Sequence, residues 1–155
     1  RECKEGLQAV QEREKSVSGM RSVALKHLPG VREPLARRLR HLVTENTRVL
    51  KASESIAKGD RVELGRLILE THESLRVDYQ VSCRELDILV EIAARHPHCW
   101  GGRMVGGGFG GCTLNLVHSQ QVEAFSTRIQ EEYRAQTQRE ARVFAFELVG
   151  GAQVG

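Results

Sequence analysis

Seven of the eleven residues from 101 to 111 are glycine, in the run Gly101-Gly-Arg-Met-Val-Gly-Gly-Gly-Phe-Gly-Gly111. Glycine loses more backbone entropy on folding than any other residue, so a cluster of it needs a reason. One reason is backbone angles closed to other residues; another is main chain that must come close to a ligand. Successive N–H groups exposed in such a loop form an anion-binding concavity, and phosphate is the first ligand this points to. Flexible linkers and hairpin turns have a similar composition. Here, however, the run contains the bulky apolar Phe109 and lies between two flanks that read as ordered.

Other chemistry is thinly represented. His96, His98 and Cys99 stand close together, but Pro97 interrupts them and no second ligand pair follows, so they do not read as a metal site. The four cysteines, at 3, 83, 99 and 112, contain no CxxC pair and are expected to be reduced, buried thiols of a cytoplasmic protein. A net charge of +3 with dispersed basic residues, and few aromatics for base stacking, exclude a nucleic-acid surface. No apolar run approaches the ~20 residues of a membrane helix, so no membrane partner is expected. With 155 residues, 40% of them apolar, the chain can build one domain with its own core. Its start at Arg1, directly in a helical pattern, reads as part of a longer polypeptide.

The elements that must carry the glycine run are mostly helical. Residues 2–15 place Cys3, Leu7 and Val10 at helical spacing. Residues 33–58 form the clearest helix, opened by Pro34, closed by Gly59, and striped with Leu35, Leu39, Leu42, Val43, Val49, Leu50 and Ile56. Asp60 and Glu63 read as a capping box for a second long helix bearing Leu64, Leu67, Ile68 and Leu75, packed antiparallel on the first. Ser82 and Glu85 read as another box, opening a helix with Leu86, Leu89, Val90 and Ala93 inward and Pro97 at its end. From residue 99 the period turns to alternation: a strand over 99–105 enters the glycine loop and one beginning at Cys112, with Leu114 and Leu116, leaves it. Ser119 is expected to cap a further helix with Val122, Phe125, Ile129 and Tyr133. Residues 142–149 read as a last strand with Phe144, Phe146 and Leu148 on one face, and 150–155 as a frayed tail. The expected fold class is α+β, with helices over one face of a small antiparallel sheet.

Gly106-x-Gly108-x-x-Gly111 formally fits the dinucleotide fingerprint, yet that motif needs a helix opening directly after it, and a strand follows here. A Walker loop needs Gly-Lys-Ser/Thr, which is absent. What remains is strand, glycine loop, strand. Residues 102–113, ending Gly-Phe-Gly-Gly-Cys-Thr113, closely resemble the third signature motif of the GHMP sugar kinases, in its galactokinase form. Residues 70–87, from Glu70-Thr-His-Glu-Ser74 to Glu85-Leu-Asp87, resemble a galactokinase segment spanning two C-terminal helices, and Arg1-Glu-Cys3 and residues 40–45 fit in order. The likeness covers nearly the whole chain. There are three departures: Val105 stands where the family has threonine, Val77 where it has aspartate, and Arg84 where it has proline.

That resemblance implies a GHMP kinase C-terminal domain of ferredoxin-like form over residues 1–155, joined to an N-terminal domain. It implies ATP and Mg2+ as cofactors and phosphorylation of galactose at its 1-hydroxyl. No catalytic residue is expected in this chain, because the family's arginine and aspartate, and its Gly/Ser-rich nucleotide motif, belong to the other half. Gly106, Gly107, Gly108, Phe109, Gly110 and Gly111 are expected to line the phosphate and substrate cleft, with Arg103 a possible addition. N-acetylgalactosamine kinase, another GHMP sugar kinase, or a non-catalytic galactokinase-like sensor and regulator are alternatives.

Overall fold

The structure, a computed structural model, describes residues 1–146. Its first helix, α1 (Glu2–Arg13), buries Gly6 and Val10 on one side. Gly6 lets it lie close: a Cβ there would stand 3.1 Å from Leu39 Cγ. Residues 20–28, a stretch without clear periodicity, form two short 3-10 turns, Met20–Ser22 and Leu25–His27. Arg13 ties this segment to α1 by donating to the carbonyl oxygens of His27 and Pro29. Val10, Val17, Val23, Leu28, Val31, Leu35, Ala36 and Leu39 close into one buried cluster.

Helix α2 (Leu35–Lys58) ends at Gly59, whose φ of 68° is the left-handed cap expected of glycine. Its apolar stripe is buried only at the start. Leu35 and Leu39 are interior, whereas Val49, Leu50 and Ile56 are exposed, so the second half of the helix projects beyond the core. Helix α3 (Arg61–Ser74) returns antiparallel, as the pairs His41 with Ser74 and Glu45 with Thr71 show. Asp60 caps α3 by accepting from the Glu63 N–H at 3.0 Å. The Glu63 side chain does not complete a capping box but pairs with Arg66.

A single π turn, Leu75–Tyr79, ends in Gln80 at a φ of 57° and delivers the chain to α4 (Arg84–Ala94). The box read at Ser82 is not formed: the N-cap is Cys83, without a side-chain cap bond, and Ser82 Oγ donates to Asp87 instead. Leu86, Val90 and Ala93 are buried as the spacing requires. Strands β1 (Cys99–Val105) and β2 (Cys112–Val117) pair antiparallel, Val105 opposite Cys112 and Met104 opposite Thr113. Helix α5 (Val122–Thr137) follows a 3-10 turn in which the His118 side chain accepts from the Gln120 N–H; Ser119 is not its cap. Phe125, Ile129 and Tyr133 of α5 pack against Ile88, Ile92 and Ala93 of α4.

Three further expectations change. The sheet has two strands among the described residues, because residues 142–146 run without strand pairing and leave Phe144 and Phe146 exposed; residues 147–149 of that expected strand, and the expected tail at 150–155, lie outside the described residues. The apolar side of β2 is not its core side: Leu114 is 44% exposed and Cys112 is exposed, whereas Met104, on the opposite face of the ladder, packs on Leu75 and Leu86. The cysteines are free thiols, half-buried at 3, 83 and 99, so the expected full burial is not met. The α+β class stands, with helices packed on a small antiparallel sheet.

Candidate functional site

The glycine run serves two separate purposes. Gly101 and Gly102 lie inside β1 and are buried. A Cβ on Gly101 would stand 2.2 Å from the carbonyl oxygen of Gly65, and one on Gly65 would stand 2.0 Å from that of Trp100. Helix α3 therefore crosses β1 backbone to backbone, an approach that only paired glycines permit. This half of the run is packing.

Residues 106–111 are the other half, a loop joining β1 to β2. Gly106, Gly108, Gly110 and Gly111 have φ of 86°, 82°, 127° and 102°, and Phe109 itself sits at 59°. A bulky residue in the left-handed region is uncommon and costs energy unless its surroundings impose it. The imposition is visible: the Phe109 N–H donates to the carbonyl oxygen of Val81 at 2.7 Å. Gly108 lies against the same group, and a Cβ there would stand 2.1 Å from that oxygen. By contrast, Cβ positions at Gly106, Gly107, Gly110 and Gly111 meet nothing within 4 Å among the described residues. The loop is thus pinned at its middle and open around it. Outside the strand ladder, no other N–H of residues 106–111 bonds to a described backbone group. Such a run of backbone donors in left-handed turns fits an anion.

The pin belongs to a buried polar group. His72, only 6% exposed on α3, accepts the Met104 N–H on Nδ1 at 3.2 Å. That N–H points away from β2 and would be unpaired without it. Because Nδ1 accepts, the proton of the neutral ring is on Nε2, which lies 3.2 Å from Asp87 Oδ1. Nε2 is outside good hydrogen-bond alignment, so this contact is chiefly electrostatic. Asp87 also accepts from Ser82 Oγ at 2.6 Å. Burial pushes His72 below the ordinary histidine value, with Asp87 opposing the shift.

Arg103 is on β1 with its Nη1 3.4 Å from Glu45 Oε1 and its Nε donating to the Met104 carbonyl oxygen. Glu45 also receives Arg48 at 2.9 Å and Thr71 Oγ1 at 3.0 Å. Arg103 is thereby committed to an ion-pair cluster joining α2, α3 and β1. His41 and Ser74 share a hydrogen bond at 3.0 Å, and Ser74 donates to Asp78, which pairs with Arg40 at 3.2 Å. Of the departures, Val105 is half-buried beside the loop, Val77 is exposed, and Arg84 opens α4 at the surface.

All six predicted loop residues are brought together. Val81, Ser82 and the interior role of His72 were not found from sequence: Val81 acts through its carbonyl oxygen, which no side-chain pattern marks. Among the described residues no three of His, Cys, Asp and Glu gather as metal ligands.

Comparison with known proteins points in one direction. Residues 52–135 match the family model for the GHMP kinases C terminal. Over 106 residues the chain is 50% identical to a galactokinase of Chloroflexus aurantiacus, which covers 68% of this chain and 26% of that protein. Over 137 residues it is 42% identical to a galactokinase of Canis lupus familiaris, covering 86% of this chain and 34% of that one. The fold superposes on Lactococcus lactis galactokinase complexed with galactose, with a TM-score of 0.84 and 31% identity, over 90% of this chain and 37% of that one. The chain spans about a third of the length of these relatives.

Proposed function

The chain belongs to the GHMP kinases, as a C-terminal domain of that family, and we propose that it serves as the C-terminal part of a galactokinase. In that reading the complete protein phosphorylates the 1-hydroxyl of galactose from ATP, in a cleft between this domain and an N-terminal one, in the cytoplasm. The relatives named as galactokinases support the sugar. Residues 1–155 are then one domain, with residues 106–111 facing the cleft. The outward Leu114 and Phe109 fit a surface that another domain covers.

The observation that carries the reading is the open, pinned loop. Phosphoryl transfer asks the protein mainly for position and for donors aimed at developing charge. Gly106, Gly107, Gly110 and Gly111 present main chain with no side chain in the way, so their N–H groups would bind phosphate oxygens closely. Phe109, held by Val81, keeps those donors in place before the nucleotide arrives. No carboxylate or histidine belongs to the loop, so residues 106–111 orient and stabilise and do not move a proton. Bound Mg2+ would supply further neutralisation of phosphate charge; among the described residues there is no cluster of ligands to hold it.

Gly107 provides the test. Its Cβ position is open and its φ is not in the left-handed region, so Gly107→Val should leave the domain's stability within about 0.5 kcal/mol of wild type. In the complete protein the same branched side chain would obstruct phosphate, and kcat for galactose should fall at least about tenfold. Wild-type kinetics in Gly107→Val would overturn the loop's role. An ADP-release panel with galactose, N-acetylgalactosamine and other sugars decides among GHMP sugar kinases; no turnover with any, together with sugar binding, would establish the non-catalytic sensor reading.

A further inference from the structure

We propose that the His72–Asp87–Ser82 unit is the positioning device of the glycine loop, holding both of its sides through one connected group of side chains, so that His72 governs turnover without touching substrate. The proposal rests on the loop's role in phosphoryl transfer given above. Met104, two residues before the loop, is held by His72 Nδ1 at 3.2 Å. Phe109, at the far side of the loop's middle, is held by the Val81 carbonyl oxygen at 2.7 Å. Val81 adjoins Ser82, whose hydroxyl donates to Asp87 at 2.6 Å, and Asp87 faces His72 Nε2 at 3.2 Å. The two anchors are thus joined through one ring and one carboxylate.

The components suit a positioning role better than plain packing. An apolar side chain at position 72 would fill the space, yet it would strand the Met104 N–H and leave Asp87 with Ser82 but without the ring it faces. A histidine can accept on one nitrogen while facing a carboxylate with the other, and so fixes the distance between β1 and the start of α4. His72 and Met104 are both buried, so water does not readily replace the ring as partner of the Met104 N–H. A displacement of the α4 start would carry Val81 with it and release Phe109 from its left-handed conformation, and with it the open N–H array.

The test compares His72→Leu, His72→Asn and a remote core truncation, Val10→Ala, in the complete protein. Asparagine keeps an acceptor near the Nδ1 position, whereas leucine keeps neither partner. We expect His72→Leu to lower kcat at least about tenfold, His72→Asn to restore it to within about threefold of wild type, and Val10→Ala to lower Tm with kcat unchanged. In parallel, hydrogen exchange of the Met104 and Phe109 amides should speed up together in His72→Leu and return toward wild type in His72→Asn. Should His72→Leu not fold, Ser82→Ala carries the same test, with faster Phe109 exchange expected and His72 intact. Unchanged exchange at Met104 and Phe109 would overturn the proposal. Raised exchange with unchanged kcat, no rescue by asparagine, or an equal kcat loss in Val10→Ala would do the same. If wild-type protein phosphorylates no sugar, the kinase reading fails while the exchange measurement still decides whether His72 positions the loop.

Discussion

Replacing single loop glycines by alanine separates backbone strain from steric contact. Gly107→Ala meets open space at a φ any residue tolerates, so its cost should be near zero. Gly106→Ala also meets open space but at a φ of 86°, and the left-handed penalty of about 1–2 kcal/mol is all it should cost. Gly108→Ala has the same penalty at a φ of 82° together with a Cβ 2.1 Å from the Val81 carbonyl oxygen. That oxygen must retreat, and the 2.7 Å bond from Phe109 is lost with it. Adding about 0.5–1.5 kcal/mol for the bond gives roughly 1.5–3.5 kcal/mol. The sum has a ceiling, because the loop can lift off Val81 once doing so is cheaper than bearing the clash. Urea denaturation of the three variants reads the series directly, and at about 2–4 °C per kcal/mol Gly108→Ala should lower Tm by about 3–14 °C. A Gly108→Ala protein as stable as Gly107→Ala would refute the pinning of this loop to Val81.

Other outcomes follow from the same coordinates. Gly65→Ala and Gly101→Ala each force a Cβ within 2.2 Å of facing backbone, and thermal melts should show a loss of about 3 kcal/mol or more, or no folded protein. Leu39, fully buried between α1 and α2, should cost about 2–5 kcal/mol as Leu39→Ala in denaturant titration. Asp60→Ala removes the α3 cap and should cost about 1 kcal/mol, restored by Asp60→Ser. His41 and His72 are both held below the ordinary histidine value, chiefly by burial. The unfolded chain then binds protons more readily, so stability is full above about pH 6.5 and falls as pH drops beneath it; melts across pH 5–8 check the sign, and a flat profile would refute it.

Much of the architecture was legible because its signals are local. Gly59, Asp60 and Pro97 mark helix ends by backbone chemistry that acts within one turn, and the structure uses all three. The change of period at residue 99 located both strands, since alternation is a property of the pleat itself. Where a choice of partner entered, local reading failed. Ser82 has the sequence context of a helix cap, but Asp87, five residues on, competes for its hydroxyl and wins. The stripe on α2 continues to Ile56 by spacing alone, and only the extent of α1 and the 3-10 turns decides that its buried apolar residues end at Leu39, although the polar Ser55 is buried further on.

The glycine run shows the same division most sharply. Its composition, with Phe109 and the ordered flanks, pointed to main chain passing close to something, and its order of residues carried the resemblance to the kinase family. Which glycine serves which purpose was a tertiary matter: Gly101 answers to Gly65 on α3, Gly108 answers to Val81, and Gly107 answers to nothing among the described residues. The physical reason is that a missing Cβ carries no information about its neighbour. Only the fold, by bringing residues 65, 81 and 72 to this hairpin, says what each absence is for.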